Sequence, residues 1–76
     1  MDPHHDNGVL ALIRGEEIAA ASQRLPQPEQ GLPERMTVDV DLLQHGRVRI
    51  TFRLTLHKRG KSRHWFWTAV HAEQLT

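Results

Sequence analysis

Apolar and polar residues alternate along two stretches in the second half of the chain. From residue 36 to 43, and again from 47 to 56, every second side chain is apolar. The apolar set of the first stretch is Met36, Val38, Val40 and Leu42, and that of the second is Val48, Ile50, Phe52, Leu54 and Leu56. A period of two is typical of a strand with one buried face. The pattern therefore predicts two antiparallel strands whose apolar sides face a common core.

The turn between these strands decides which residues lie opposite each other. A two-residue turn would place Asp41 opposite Ile50 and so mix a charge with the apolar set. A three-residue loop over residues 44–46 keeps the apolar sets together and places Asp41 opposite Arg49. It also puts Gly46 in the left-handed conformation that such loops require. The sequence therefore predicts the three-residue loop.

A second hairpin follows at Gly60-Lys61, because a glycine in the first of two turn positions suits a type II′ turn. The third strand then runs antiparallel to the second. The register set by this turn places Trp65 and Trp67 on the apolar face and Phe66 on the opposite, polar face, whereas a register shifted by one residue exchanges the two sets.

The first half of the chain predicts one helix, from Glu16 to Leu25. Ile18, Ala21 and Leu25 share one helical face, and two glutamates lie in the first turn, where the helix dipole favours them. A connector with three prolines follows the helix and cannot continue it. Residues 9–13 are interpreted as a short extra strand or as a further piece of helix, and the strand is preferred.

The predicted fold class is therefore α+β, with one N-terminal helix followed by a three-stranded antiparallel β-meander. Residues 1–8 are predicted to form a flexible tail and residues 9–76 a single small domain. The outer edges of such a sheet allow a homodimer to form through a sheet edge.

Length and composition narrow the class of protein. A chain of 76 residues with 38% hydrophobic and 25% charged residues is typical of one small globular domain. The absence of cysteine excludes a disulfide scaffold and a thiolate metal site, and it fits the cytoplasm. The longest apolar run, residues 9–13, is far shorter than the ~20 residues of a membrane span, so no membrane association is predicted.

Charge is distributed unevenly along the chain. Residues 1–41 carry three basic and eight acidic side chains, whereas residues 42–72 carry seven lysines and arginines and no acidic residue. The basic residues of the second strand are spaced by two, so their side chains lie about 6 to 7 Å apart on one face of the sheet. This spacing is comparable to that of successive phosphates, so the asymmetry predicts a polyanionic partner.

The candidate binding residues lie on the polar face of the sheet and around the second turn. They are Arg47, Arg49, Arg53, His57, Lys58, Arg59, Lys61, Arg63 and Phe66. Cations next to an aromatic ring that can stack on an unpaired base are typical of DNA- or RNA-binding surfaces. A polar outer face is also what a half-exposed sheet requires for solubility alone.

Two functions are therefore predicted. The first is a small nucleic-acid-binding accessory or regulatory protein. The second is a protein-interaction module, such as an inhibitor or adaptor encoded by a phage or plasmid, that docks its arginine and aromatic surface on an acidic protein partner.

The sequence predicts no catalytic residue, metal or cofactor. Ser62 lies in a solvated turn that offers neither an oxyanion hole nor a dry pocket. His57 and His64 are predicted to lie opposite each other on the polar face, but His71 falls on the other face by strand alternation. Two histidines without a further ligand make a weak metal site.

Overall fold

Two short helices precede a three-stranded antiparallel sheet in the computed structural model, which describes residues 5–75. The elements are α1 (His5–Leu12), α2 (Gly15–Ser22), β1 (Arg35–Leu42), β2 (Gly46–Arg59) and β3 (Ser62–Gln74). The strand order β1-β2-β3 is that of a meander. The predicted α+β class is therefore confirmed, with a second helix in addition to the expected one.

The additional helix, α1, includes most of residues 9–13, so the preferred interpretation of that segment as a strand is wrong. Ile13, just after the helix, is buried, and Val9 and Leu10 are half-buried against the core, whereas Ala11 and Leu12 are exposed. This spacing is that of one helical face. A strand would have placed Leu10 and Leu12 on the same side, and only one of them packs inward.

The predicted flexible tail, residues 1–8, overlaps the start of α1, which begins at His5. Residues 1–4 lie outside the described residues, so the flexibility of this tail stays a prediction. Neither α1 nor α2, at eight residues each, is long enough to cross a membrane.

Helix α2 follows a break at Arg14, whose backbone is extended. The Glu17 carboxylate accepts a hydrogen bond of 3.0 Å from the Arg14 backbone N–H, which supports the helix start. The helix ends at Ser22, three residues before the predicted end at Leu25. A residue that precedes a proline disfavours helical backbone angles. Because Leu25 precedes Pro26, the helix ends before Leu25.

The core lies between the helices and the apolar face of the sheet. Helix α1 packs on β3 and α2 on β1. The buried side chains are Ile13, Ala21, Val38, Val48, Ile50, Phe52 and Ala72. The predicted apolar face of β2 is thus confirmed from Val48 to Phe52, whereas Leu54 and Leu56 are half-buried because β2 extends beyond the end of β1.

The register of the first hairpin differs from the predicted one by two residues. The loop contains three residues, as predicted, but they are residues 43–45, and Asp41 and Asp39 lie opposite Arg47 and Arg49. The predicted pairing of Asp41 with Arg49 is therefore wrong. Both registers place the same side chains on the apolar face, so the hydrophobic pattern does not distinguish them. The observed register is favoured because it forms two opposite-charge pairs across the strands.

Gly46 begins β2 with a φ of 72°, so its predicted left-handed conformation is confirmed. Replacing Gly46 with alanine should lower the free energy of unfolding by about 1 kcal/mol, because a side chain at positive φ is strained. Urea unfolding of the variant and the wild type measures this difference. A midpoint unchanged by the substitution would contradict the strain.

The second hairpin matches its predicted register. Gly60 has a φ of 60° and Lys61 has no positive φ, which is the combination of a type II′ turn. Leu56 pairs with Trp65 and Leu54 with Trp67, as expected.

A β-bulge in β3 changes the register beyond this hairpin. Phe52 pairs with Ala69, whereas the preceding residue, Thr51, pairs with His71, so Val70 is the extra residue. The bulge turns His71 onto the polar face, and its predicted position on the opposite face is therefore wrong. It also places Glu73 opposite Arg49.

Candidate nucleic-acid interface

Strands β2 and β3 extend beyond the end of β1 as a two-stranded ribbon. β1 pairs with β2 only as far as Arg53, whereas the pairing of β2 with β3 continues to Arg59 and Ser62. The last part of the ribbon, residues 57–64, is called the hairpin tip. All of its side chains are exposed.

The predicted site residues fall into two groups on this framework. The first group, called the sheet arginines, contains Arg47, Arg49 and Arg53 in the three-stranded part of the sheet. All the other predicted cations belong to the hairpin tip. From Arg53 to Lys58, the nearest permanent cations of the two groups, the strand runs for about 16 Å, which exceeds the Debye length of ~10 Å at 0.1 M salt. The two groups are therefore electrostatically separate at that ionic strength.

Each sheet arginine already has a carboxylate partner. The three ion pairs are Arg47 with Asp41 at 3.2 Å, Arg49 with Asp39 at 2.8 Å and Arg53 with Glu34 at 3.2 Å. The Arg49 guanidinium binds both carboxylate oxygens of Asp39, with a second hydrogen bond of 3.1 Å. This bidentate geometry is among the stronger forms of ion pairing. The sheet arginines therefore present little free positive charge to a polyanion.

The strongest of these pairs changes the ionisation of both partners. The hydrogen bonds from Arg49 lower the pKa of the Asp39 carboxyl, and the charges of Arg49, Arg47 and Arg24 act in the same direction. The hydrogen bond to Asp39 raises the pKa of the Arg49 guanidinium in turn. Both groups therefore stay charged at neutral pH.

Replacing Asp39 with asparagine should remove a pH-dependent part of the stability. Because the pKa of Asp39 is lowered in the folded protein, its contribution is present above the ordinary aspartate pKa of about 3.9 and is lost as the pH falls through the lower folded value. The wild type should exceed Asp39→Asn in free energy of unfolding at pH 7, and the difference should narrow below about pH 4. Urea unfolding between pH 7 and pH 2 measures it. A difference that stays constant down to pH 2 would contradict the pairing.

The hairpin tip, in contrast, carries four permanent cations without a carboxylate partner among the described residues. Lys58 and Arg63 lie opposite each other, Arg59 is paired with Ser62, and Lys61 is in the turn. Neighbouring positions on a strand point to opposite faces. The cations therefore surround the end of the ribbon on both sides.

The two histidines of the tip lie on the polar side of the ribbon. His57 and His64 are directly opposite each other, as predicted. Within residues 5–75, no three side chains of the His, Cys, Asp and Glu types come together in a geometry that could hold a metal ion.

Phe66 is next to this cluster and is partly exposed. Its ring is on the polar face with 36% of its surface accessible, and it stacks on His64 with ring centroids 6.1 Å apart. Trp65 and Trp67 are half-buried on the apolar side, where the Trp67 indole N–H donates a hydrogen bond of 2.9 Å to the Pro26 carbonyl. The predicted division of the three aromatic residues between the two faces is confirmed.

Two carboxylates that shape this surface were missed by sequence reasoning. Glu34 precedes β1 and pairs with Arg53, although it belongs to neither alternating set. Glu73 faces Arg49 only because of the bulge at Val70. The position of Glu34 directly before the first strand is a signal that could have been used, whereas the bulge has no comparable signal in the sequence.

The geometry thus defines one cationic end and one charge-paired face of the same sheet. Comparisons of the chain with protein-family models, with curated proteins and with solved structures gave no match.

Proposed function

We propose that the protein is a small non-enzymatic nucleic-acid-binding protein, with an accessory or regulatory role in the cytoplasm, and that the hairpin tip is its binding surface. The observation that carries the proposal is the contrast between the two groups of cations. The sheet arginines are paired with carboxylates, whereas Lys58, Arg59, Lys61 and Arg63 have no such partner among the described residues.

The chemistry of the tip suits a phosphate backbone. Each lysine or arginine that neutralises a phosphate releases a condensed counterion, and this release drives sequence-independent binding. The tip projects from the sheet as a narrow ribbon, so a nucleic acid can approach it from either side. Its cations are exposed, so binding requires no rearrangement of the core.

The same surface fits an acidic protein partner less well. The core of a protein interface is enriched in apolar and aromatic anchors and depleted in charge. Residues 57–64 include no apolar side chain other than the methylene stems of the cations. Phe66 alone would have to serve as the anchor on the polar side of the ribbon.

Direct binding tests the proposal. The assay uses labelled single-stranded and duplex DNA and RNA at ~50 mM salt, where electrostatic binding is strong. We expect at least one of them to bind, and the logarithm of its affinity to fall linearly with the logarithm of the salt concentration. Absence of binding to all of them would contradict the proposed function. A protein captured from lysate whose retention survives nuclease treatment, in the absence of such binding, would favour the acidic-protein alternative.

A further inference from the structure

The polar face of the ribbon contains an open depression beside Phe66. Its volume is about 500 Å³. The residues that line it are Arg53, Leu54, Thr55, Leu56, Thr68 and Val70. Phe66 pairs with Thr55 and is two residues before Thr68, so it lies on the same face of the ribbon, next to the residues that line the depression.

Hydrogen-bonding groups lie within the depression. The hydroxyl oxygens of Thr55 and Thr68 are 3.1 Å apart and share one hydrogen bond. The Thr55 hydroxyl also donates a hydrogen bond of 3.3 Å to the Arg53 carbonyl, so Thr68 donates to Thr55 and the pair retains the capacity to accept hydrogen bonds from a further polar group. The Arg53 guanidinium beside them is paired with Glu34 and contributes little free charge. An aromatic surface and two hydroxyls thus lie on the polar face of the ribbon, the face to which Arg59 of the tip also points.

We infer that the nucleic acid bound by the tip is single-stranded and that an unpaired base stacks on Phe66, with its polar edge toward Thr55 and Thr68. This inference rests on the proposed function. A stacked base contributes about 1 to 3 kcal/mol, whatever its identity, because every base has a π face. Of the tip residues, His57, Arg59 and His64 share the polar face with Phe66, so a phosphate on the turn side of this base reaches Arg59, whereas Lys58 and Arg63 point to the opposite face.

A duplex does not satisfy the same geometry. Its bases are stacked on one another and expose only their edges in the grooves. Phe66 lies on the broad side of the ribbon, four residues after Ser62 at the start of β3, and not at its narrow end. A duplex can therefore use the cations but not the ring.

Phe66→Ala separates the ring from the charges. On single-stranded DNA or RNA oligonucleotides, measured by fluorescence anisotropy, we expect the variant to bind about 5- to 150-fold more weakly than the wild type. The slope of log affinity against log salt concentration should stay the same, because stacking releases few counterions. Phe66→Trp should restore most of the affinity, since it retains an aromatic surface. Leu43→Ala, which changes a fully exposed apolar residue in the first hairpin loop, is the matched control and should bind as the wild type does.

Binding to a duplex distinguishes a failure of the stacking site at Phe66 from a failure of the proposed nucleic-acid-binding function. We expect the affinity of Phe66→Ala for a duplex to equal that of the wild type within about twofold, because the ring is not used there. An equal loss on duplex and single strands, or no loss on single strands, would overturn the stacking site and leave the electrostatic function standing. If the wild type binds no nucleic acid at ~50 mM salt, the function and the stacking site fail together. Circular dichroism of each variant verifies that its fold is unchanged.

Discussion

Replacing the four permanent cations of the hairpin tip with glutamine should reduce the slope of log affinity against log salt concentration by about 2.8 to 3.6 units. The variant carries Lys58→Gln, Arg59→Gln, Lys61→Gln and Arg63→Gln. Each cation that contacts a phosphate contributes about 0.7 to 0.9 to the slope, depending on whether the nucleic acid is single-stranded or duplex. Over the range from 1 M down to ~50 mM salt, this difference in slope corresponds to an affinity roughly 10⁴-fold lower at ~50 mM salt. Anisotropy titrations over a range of salt concentrations measure both quantities.

The sheet arginines provide the matched control for this variant. Changing Arg47, Arg49 and Arg53 to glutamine removes a similar number of charges, but each of them is already paired with a carboxylate. We expect the slope to change by less than about 1 unit. Both variants should retain the fold, since exposed substitutions usually change the free energy of unfolding by less than about 0.5 kcal/mol, and the loss of surface ion pairs adds little to this. If the slope decreases more in the sheet-arginine variant than in the hairpin-tip variant, nucleic acid binds to the face of the sheet and not to the tip.

Phe52→Ala should be the most destabilising single substitution in the core. Phe52 is the largest fully buried side chain, with 1% of its surface exposed, and it lies on the central strand between Met36 and Ala69. Truncation of a buried phenylalanine typically costs about 3 to 5 kcal/mol, because the cavity is only partly refilled. Small domains have total stabilities near the low end of about 5 to 15 kcal/mol. The variant should therefore be close to unfolding at room temperature.

Thermal and urea unfolding followed by circular dichroism measure this loss. Leu43→Ala is the control, because Leu43 is fully exposed in the first loop and should change the stability by less than about 0.5 kcal/mol. A loss below about 1 kcal/mol for Phe52→Ala would contradict the position of this side chain at the centre of the core.

The sheet could be predicted from sequence because its alternating pattern is strong and its turns have specific residues. Gly46 and Gly60 both have positive φ, as their positions in the hairpins required. The register of the first hairpin was less predictable, since a shift by two residues leaves the same side chains on the apolar face. There the cross-strand pairing of Asp39 and Asp41 with arginines favours one register over the other.

The helical structure of the N-terminal segment and the position of the bulge could not be predicted from the sequence, for a different reason. Residues 9–13 are a short apolar run whose periodicity fits a strand or a helix, and only its packing against β3 decides between them. The bulge at Val70 inserts one residue into an otherwise regular alternation, and no glycine or proline in β3 marks it. It changes the side on which His71 and Glu73 lie.

The residues of the candidate site could be predicted from the sequence, but their arrangement on the surface could not. All nine residues were identified by their charge or aromaticity, yet only the structure separates the sheet arginines from the hairpin tip. That separation depends on ion pairs with Asp39, Asp41 and Glu34, which come from the preceding strand and its first flanking residue. Charge counted along the sequence cannot show which cations have partners in space.

A titration of isotopically labelled protein with a single-stranded oligonucleotide, followed by the backbone amide resonances in NMR at ~0.1 M salt, tests the binding surface most directly. At this ionic strength the tip and the sheet arginines are separated by more than one Debye length of ~10 Å. We expect the largest chemical-shift changes at residues 57–66, with small changes at Arg47, Arg49 and their partners in β1. Changes concentrated on residues 39–49, or none at any residue, would contradict the hairpin tip as the nucleic-acid interface.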